Sequence, residues 1–193
     1  MLARMHLAGQ DFDRHQPNLR GLAWWKETAP SLTPFLNEAQ RVLVSQEIAF
    51  QSQLAATAAY AALPRGPIHA DLFRDNVMFD KDDLSGFLDF YFAGCDTFLF
   101  DIGVCLNDWC IDPDKATIDP VREHAFIMAY ESVRKLGPAE RSLLPVMKRA
   151  AALRFWMSRL HDAHMPRGAK VLQAKDPAHF ERILRKRLTE GAT

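Results

Sequence analysis

In this chain, strand-length apolar runs gather in one place, residues 68–90, with long stretches of helix-forming residues on either side. That lopsided pattern limits the fold more than any other feature. It predicts an α+β chain, mainly α-helical, with one small central β-hairpin. The runs around Ile68, Asn76 to Phe79 and Gly86 to Phe90 are separated by polar loops, and residues 81–86 read as a hairpin turn. A rigid hairpin of this kind commonly carries chemistry on the loops beside it.

The flanks can be placed from punctuation and propensity. Residues 33–62 hold Ala, Leu, Gln and Glu with no internal Gly. Thr33 and Pro34 read as N-cap and first helical residue, and Pro64 and Gly66 as the stop. One long core helix is expected, with Leu36, Ala39, Leu43, Ile48, Leu54 and Ala58 along one stripe. Further helices are expected over residues 98–110, 116–136, 139–164 and 177–189, bounded by Pro113, Gly137, Pro166 and Pro177. Residues 2–8 read as the end of an amphipathic helix with no N-cap ahead of it. Residues 9–31, punctuated by Gly9, Pro17, Gly21 and Pro30, read as an irregular stretch held down by Trp24 and Trp25. The 193 residues suit a single domain.

Charge narrows the partners. Lys plus Arg and Asp plus Glu each number 24, so the chain is formally neutral. Neither nucleic acid nor an anionic membrane is expected as a main partner. Cys95, Cys105 and Cys110 form no CxxC pair and read as reduced thiols. The first residues lack the order of a signal peptide, and no apolar run nears the ~20 residues of a membrane span. A cytoplasmic location is expected.

The chemistry lies in His69-Ala70-Asp71-Leu72-Phe73-Arg74-Asp75-Asn76 and, after the hairpin, Leu88-Asp89-Phe90. Asp71, Asn76 and Asp89 suit phosphoryl transfer, which needs positioning, charge neutralisation by magnesium and a carboxylate to accept a hydroxyl proton. Magnesium prefers a few protein oxygens together with phosphates and waters. Asn76 and Asp89 can supply those oxygens while Asp71 orients the hydroxyl. A hairpin brings its second strand's end back beside the loop that enters its first, so the three groups should converge.

The pattern His-x-Asp-x-x-x-x-Asn, then a hairpin and Asp-Phe, resembles the catalytic and metal loops of the protein-kinase-like fold. His-Ala-Asp-Leu resembles its aminoglycoside phosphotransferase and choline kinase branch. The flanking strings MHLAGQDF, NLRGLAWW, LDFYFAGCDTFLFDIGVCLNDWC and AALRFWMSRLHD resemble the homoserine kinases of that branch. The resemblance implies ATP as co-substrate, magnesium held by Asn76 and Asp89, Asp71 as catalytic base, and His69 and Asp101 as loop braces. It implies a small-molecule hydroxyl as acceptor, homoserine first, with an aminoglycoside or an amino alcohol as the alternative. For homoserine, Arg20, Arg154 and Arg159 are candidate cations, Asn107 and Asp108 candidate polar partners, and Trp24 and Trp109 candidate walls. The fold's phosphate-covering loop and strand lysine have no counterpart here. The chain therefore reads as a C-terminal lobe without its N-lobe, either a half-enzyme or a non-catalytic binding fragment. Self-association is expected through the N-lobe-facing surface, at Met78, Leu88 and the helix of residues 2–7.

Structural readings stand beside these. Asp101 could simply cap its helix, and Arg74 with Asp75 could be a solvated pair. Trp109 and Trp156 fit a core as well as a pocket. Arg149, Arg154 and Arg159 share a helix whose charged face would ordinarily be solvated.

Overall fold

A computed structural model gives the structure of the protein over residues 1–165 and 175–190. The helices are α1 (Leu2–Ala8), α2 (Leu22–Leu32), α3 (Glu38–Ala55), α4 (Ala58–Ala61), α5 (Phe98–Trp109), α6 (Pro120–Glu131), α7 (Pro138–His164) and α8 (Pro177–Glu190). Four short strands lie between α4 and α5: β1 (Arg65–Ile68), β2 (Val77–Asp80), β3 (Asp83–Phe87) and β4 (Gly94–Thr97). Among the described residues, no helix is long and apolar enough to cross a membrane.

The core is organised around α5, whose residues from Phe98 to Asn107 are all buried, so every face of the helix meets protein. Its closest neighbour is α7. A Cβ on Gly103 would lie 2.8 Å from the Met147 carbonyl oxygen, so glycine is what lets the two backbones cross that closely. The same helix α7 receives α8, through Phe180, Ile183 and Leu184.

The expected hairpin is present as β2 and β3, antiparallel, with Val77 opposite Phe87 and Asp80 opposite Asp83. Its turn is tighter than residues 81–86, because Lys81 takes a left-handed φ of 55°. A second antiparallel pair, β1 with β4, was not expected. Its partners are far apart in sequence and β1 contains Gly66 and Pro67, so neither local pattern nor propensity marks it.

The other differences are local and have local causes. Gly21 is the N-cap of α2, so the stretch read as irregular is partly helical, with Trp25 buried. The run of residues 33–62 is three pieces. Pro34 sits in a 3-10 turn, and Asn37 starts α3 by a capping box in which its side chain accepts from Gln40 N–H at 2.9 Å. Thr57 then restarts the chain as the short α4. The helix expected over residues 116–136 spans Pro120–Glu131, capped by Asp119. The stop expected at Pro166 lies outside the described residues. Trp156 is fully buried core.

Candidate active site

The loop from His69 to Asn76 is held at both ends by main-chain and side-chain hydrogen bonds. At its entry, Ala70 adopts φ 63°, a left-handed geometry unusual for alanine, and its N–H donates to Asp101 Oδ1 at 2.8 Å. The adjacent His69 N–H donates to Asp101 Oδ2 at 2.9 Å. Asp101 is fully buried in the first turn of α5, whose cap is Thr97, so Asp101 is not the helix cap. The His69 ring spans the hairpin: its Nε2–H donates to Leu88 O at 2.7 Å, and its Nδ1 accepts from Asp71 N–H at 3.3 Å. At the exit, the Asn76 side-chain amide donates to Asp71 O at 2.7 Å, and Leu88 N–H donates to Asn76 O at 2.9 Å.

These bonds bring the three chemistry-bearing residues together. Leu88 is tied to both His69 and Asn76, so Asp89 follows at the mouth of the Asp71 loop. Asp89 lies beyond the end of β3, not within a strand, with a left-handed φ of 56°. Its Oδ1 accepts from Tyr91 N–H at 3.3 Å, and Asn76 uses its amide nitrogen on Asp71. The remaining oxygens, Asn76 Oδ1 and Asp89 Oδ2, are hard donors of the kind magnesium prefers. Among the described residues no group of three or more His, Cys, Asp or Glu forms a metal cage, so an ion here would share its shell with ligand oxygens.

Asp71 sits in an unusual field. Burial pushes its carboxyl above the ordinary aspartate range; the Arg154 guanidinium and His69 oppose that rise, and Asp89 adds to it. Arg154 Nη1 donates to Asp71 Oδ1 at 3.4 Å. The Arg154 side chain is itself buried, and its Nε and Nη2 have no hydrogen-bond partner among the described residues. Burial lowers its pKa to about 10, still far above neutral pH, so the guanidinium stays charged. It stacks 3.7 Å from the Phe155 ring centroid and 5.0 Å from that of Phe92. Arg20 approaches the same Phe92 ring at 5.3 Å and lies over Trp24 at 4.1 Å. Two guanidiniums thus flank one aromatic ring beside Asp71.

The other residues proposed for substrate are placed differently. Asn107 is fully buried: its amide nitrogen donates to Lys148 O at 2.7 Å and its oxygen accepts from Arg187 Nε at 2.9 Å. Both ends of the side chain are thus used inside the core. Asp108 accepts Arg74 N–H at 2.8 Å and Arg74 Nε–H at 3.3 Å, which braces the 3-10 turn of Arg74–Asn76. Arg74 is therefore not paired with Asp75, whose partner is Lys175 at 2.6 Å. Trp109 donates its indole N–H to Leu72 O at 3.1 Å. Arg159 lies over Phe180 at 4.4 Å and donates to Asp176 O at 3.0 Å. Sequence reasoning passed over Phe92 and His6, the first an ordinary aromatic after Asp89, the second a histidine on an apolar helix face.

Comparison with known proteins places the chain in a family. The chain is 61% identical to a homoserine kinase of Polaromonas naphthalenivorans (strain CJ2), covering 97% of this chain and 60% of that protein. It is 54% identical to a homoserine kinase of Paraburkholderia phymatum, covering all of this chain and 62% of the relative. It thus spans about three fifths of the length of these curated relatives. In structure it resembles a choline/ethanolamine kinase family protein from Mesorhizobium loti, with TM-score 0.64 and 16% identity over the whole of this chain and 62% of that one. An amicoumacin kinase matches with TM-score 0.64 and 19% identity over 98% of this chain and 56% of that one. Residues 1–136, which carry the whole loop from His69 through Asp101, match the model of the phosphotransferase enzyme family, and the chain belongs to that family.

Proposed function

We propose that this chain is the catalytic lobe of a homoserine kinase, a cytoplasmic enzyme that moves the terminal phosphoryl group of ATP onto the homoserine hydroxyl. The observation that carries the reading is the tie of Leu88 to both Asn76 and His69, which sets Asp89 and Asn76 at the mouth of the Asp71 loop. The identity to homoserine kinases supports the acceptor.

In this reading Asp71 accepts a hydrogen bond from the acceptor hydroxyl and takes its proton as the oxygen attacks. Asn76 and Asp89 hold magnesium, which when bound neutralises charge on the transferring phosphates. His69 and Asp101 fix the loop. The substrate carboxylate sits on Arg154, whose Nε and Nη2 have no hydrogen-bond partner among the described residues, with Arg20 alongside. Asn107, Asp108 and Trp109 belong to the scaffold. Adenine and most phosphate contacts come from a further lobe. The chain's exposed apolar side chains Met78, Phe79, Leu88, Phe90 and Tyr91 form the face that meets it, and the chain self-associates there when alone. Within the first helix Leu2 and Ala3 are core and Leu7 is exposed.

The test is ADP release with magnesium-ATP. The 193-residue chain alone should show negligible turnover. Joined to the remaining segment of the Polaromonas relative, it should phosphorylate homoserine in preference to choline or kanamycin. Equal rates on choline would defeat the acceptor assignment. A turnover of roughly 1–100 per second from the chain alone would defeat the half-enzyme reading.

A further inference from the structure

Asp101 holds the entry of the catalytic loop, and something must hold Asp101. Its Oδ1 receives one N–H, from Ala70, and its Oδ2 receives His69 N–H. A third donor comes from the other end of the chain: His6 Nε2 lies 3.1 Å from Asp101 Oδ2. His6 is on α1, fully buried, and stacked on the Phe98 ring with centroids 4.4 Å apart. Its other nitrogen, Nδ1, lies 2.7 Å from the Tyr130 hydroxyl on α6. That hydroxyl in turn accepts from Arg134 Nη1 at 3.4 Å, and the same nitrogen donates to Glu140 Oε1 at 2.9 Å.

The Asp101 end sets the direction at His6, because a carboxylate can only accept. Arg134 can only donate, so the Tyr130 oxygen accepts from it and has its own proton to give to His6 Nδ1. Burial pushes the Tyr130 hydroxyl up to about 12, so that proton is present throughout the ordinary pH range. His6 thus presents its Nε2–H to a carboxylate that can only accept.

We propose that His6 is a positioning residue for the catalytic loop, locking the Asp101 carboxylate in the one orientation that receives both His69 and Ala70 N–H groups. The term catalytic here rests on the proposed kinase reading; the positioning itself does not. Ala70 is the residue that benefits. Its left-handed backbone aims Asp71, and a strained alanine keeps that geometry only where its surroundings over-determine it. Without the His6 N–H, Asp101 Oδ2 loses a buried donor and the carboxylate is free to turn. The chain of bonds also makes the seating of α1 and α6 a condition for the loop's geometry.

The experiment is NMR-detected amide hydrogen exchange on the 193-residue chain, which needs no kinase activity. His6→Leu should speed exchange at His69 and Ala70 by about tenfold or more relative to Ile102 and Leu106 in the α5 core. His6→Gln, which restores an N–H near the Nε2 position, should return both amides to within about threefold of the parent. Tyr130→Phe, which leaves the His6 to Asp101 bond in place but unsupported, should fall between them and serves if His6→Leu does not fold. A uniform rise across loop and core in every variant would overturn the proposal, as would His6→Gln matching His6→Leu, or in Tyr130→Phe no rise at all. Failure of the homoserine reading would show only in the ADP assay, so the two outcomes separate.

Discussion

Asp71 and Glu123 are both carboxylates drawn partly out of water beside a buried arginine, yet their acidities move in opposite directions. At Asp71 burial dominates and the carboxyl is pushed up, with Arg154 offsetting only part of it across 3.4 Å. At Glu123 burial also pushes upward, but Arg187 and Lys148 outweigh it and hold the group below the usual glutamate range. Glu123 Oε2 meets Arg187 Nη1 at 2.8 Å and its Oε1 meets Lys148 Nζ at 2.5 Å. Arg187 also reaches Glu190 at 2.9 Å and Asn107 at 2.9 Å, so its donors are largely spoken for. Arg154 keeps two nitrogens without a hydrogen-bond partner among the described residues. A buried ion cluster with satisfied partners fastens α8 to α5, α6 and α7. A buried guanidinium with spare donors beside a proton-hungry carboxylate is set up for something that arrives later.

The largest difference should appear in turnover. In the phosphorylation-competent protein, Asp71→Asn should lower kcat by roughly 100- to 10,000-fold and leave nucleotide affinity nearly unchanged, because in the proposed mechanism Asp71 acts on the hydroxyl. Glu123→Gln should leave kcat within about threefold, since it lies in the fastening cluster. Comparable losses in both would erase the distinction.

Stability should reverse the order. Glu123→Ala leaves Arg187 and Lys148 buried with fewer counter-charges and should cost about 3–5 kcal/mol in urea unfolding. Arg154→Met removes a buried charge that is only partly compensated, packs against Phe155 and Phe92, and should cost under about 1.5 kcal/mol. It should nonetheless raise the KM for homoserine by about tenfold or more. An Arg154→Met cost matching that of Glu123→Ala would make Arg154 a structural ion.

The two sites should also answer pH oppositely. With its folded value raised, Asp71 contributes stability that is fully present below its unfolded value and is lost as pH rises through the raised one. Glu123, with its value depressed, contributes stability that is present above its unfolded value and is lost as pH falls through the lowered one. Acid unfolding measured for Asp71→Asn and Glu123→Gln should therefore differ from the parent with opposite slopes, and slopes of the same sign would overturn the assignment. The acid limb of kcat should lie above the ordinary aspartate range for the same reason.

The smallest effect is expected at a third pair. Lys175 and Asp75 approach to 2.6 Å, closer than Arg154 and Asp71, but both are more than half exposed. Asp75→Ala should shift stability by less than about 0.5 kcal/mol, and by less still in high salt. A larger loss would mean that distance, not burial, ranks these contacts.

The local part of the molecule is legible along the chain. The order His69, Asp71, Asn76 and Asp89 around a hairpin is written within a short stretch, because loop and strands are neighbours along the chain. The helices α5, α7 and α8 are likewise legible from periodicity and stop residues. Tertiary structure decided the rest. The β1 and β4 pairing joins Arg65 to Thr97, and strand propensity carries no trace of a partner that distant. The stretch holding Trp24 and Trp25 became α2 despite Gly21 and Pro30, because Gly21 could serve as the N-cap and Pro30 falls near the helix end. Asn107 and Arg154 looked alike in sequence as polar residues on helices, yet one closes a core network and the other faces Asp71 with donors to spare. His6 reaches Asp101 only because α1 packs beside α6, a contact no local pattern encodes. Hydrogen-bond satisfaction is a property of the whole packed chain, and it is what separates the scaffold from the site.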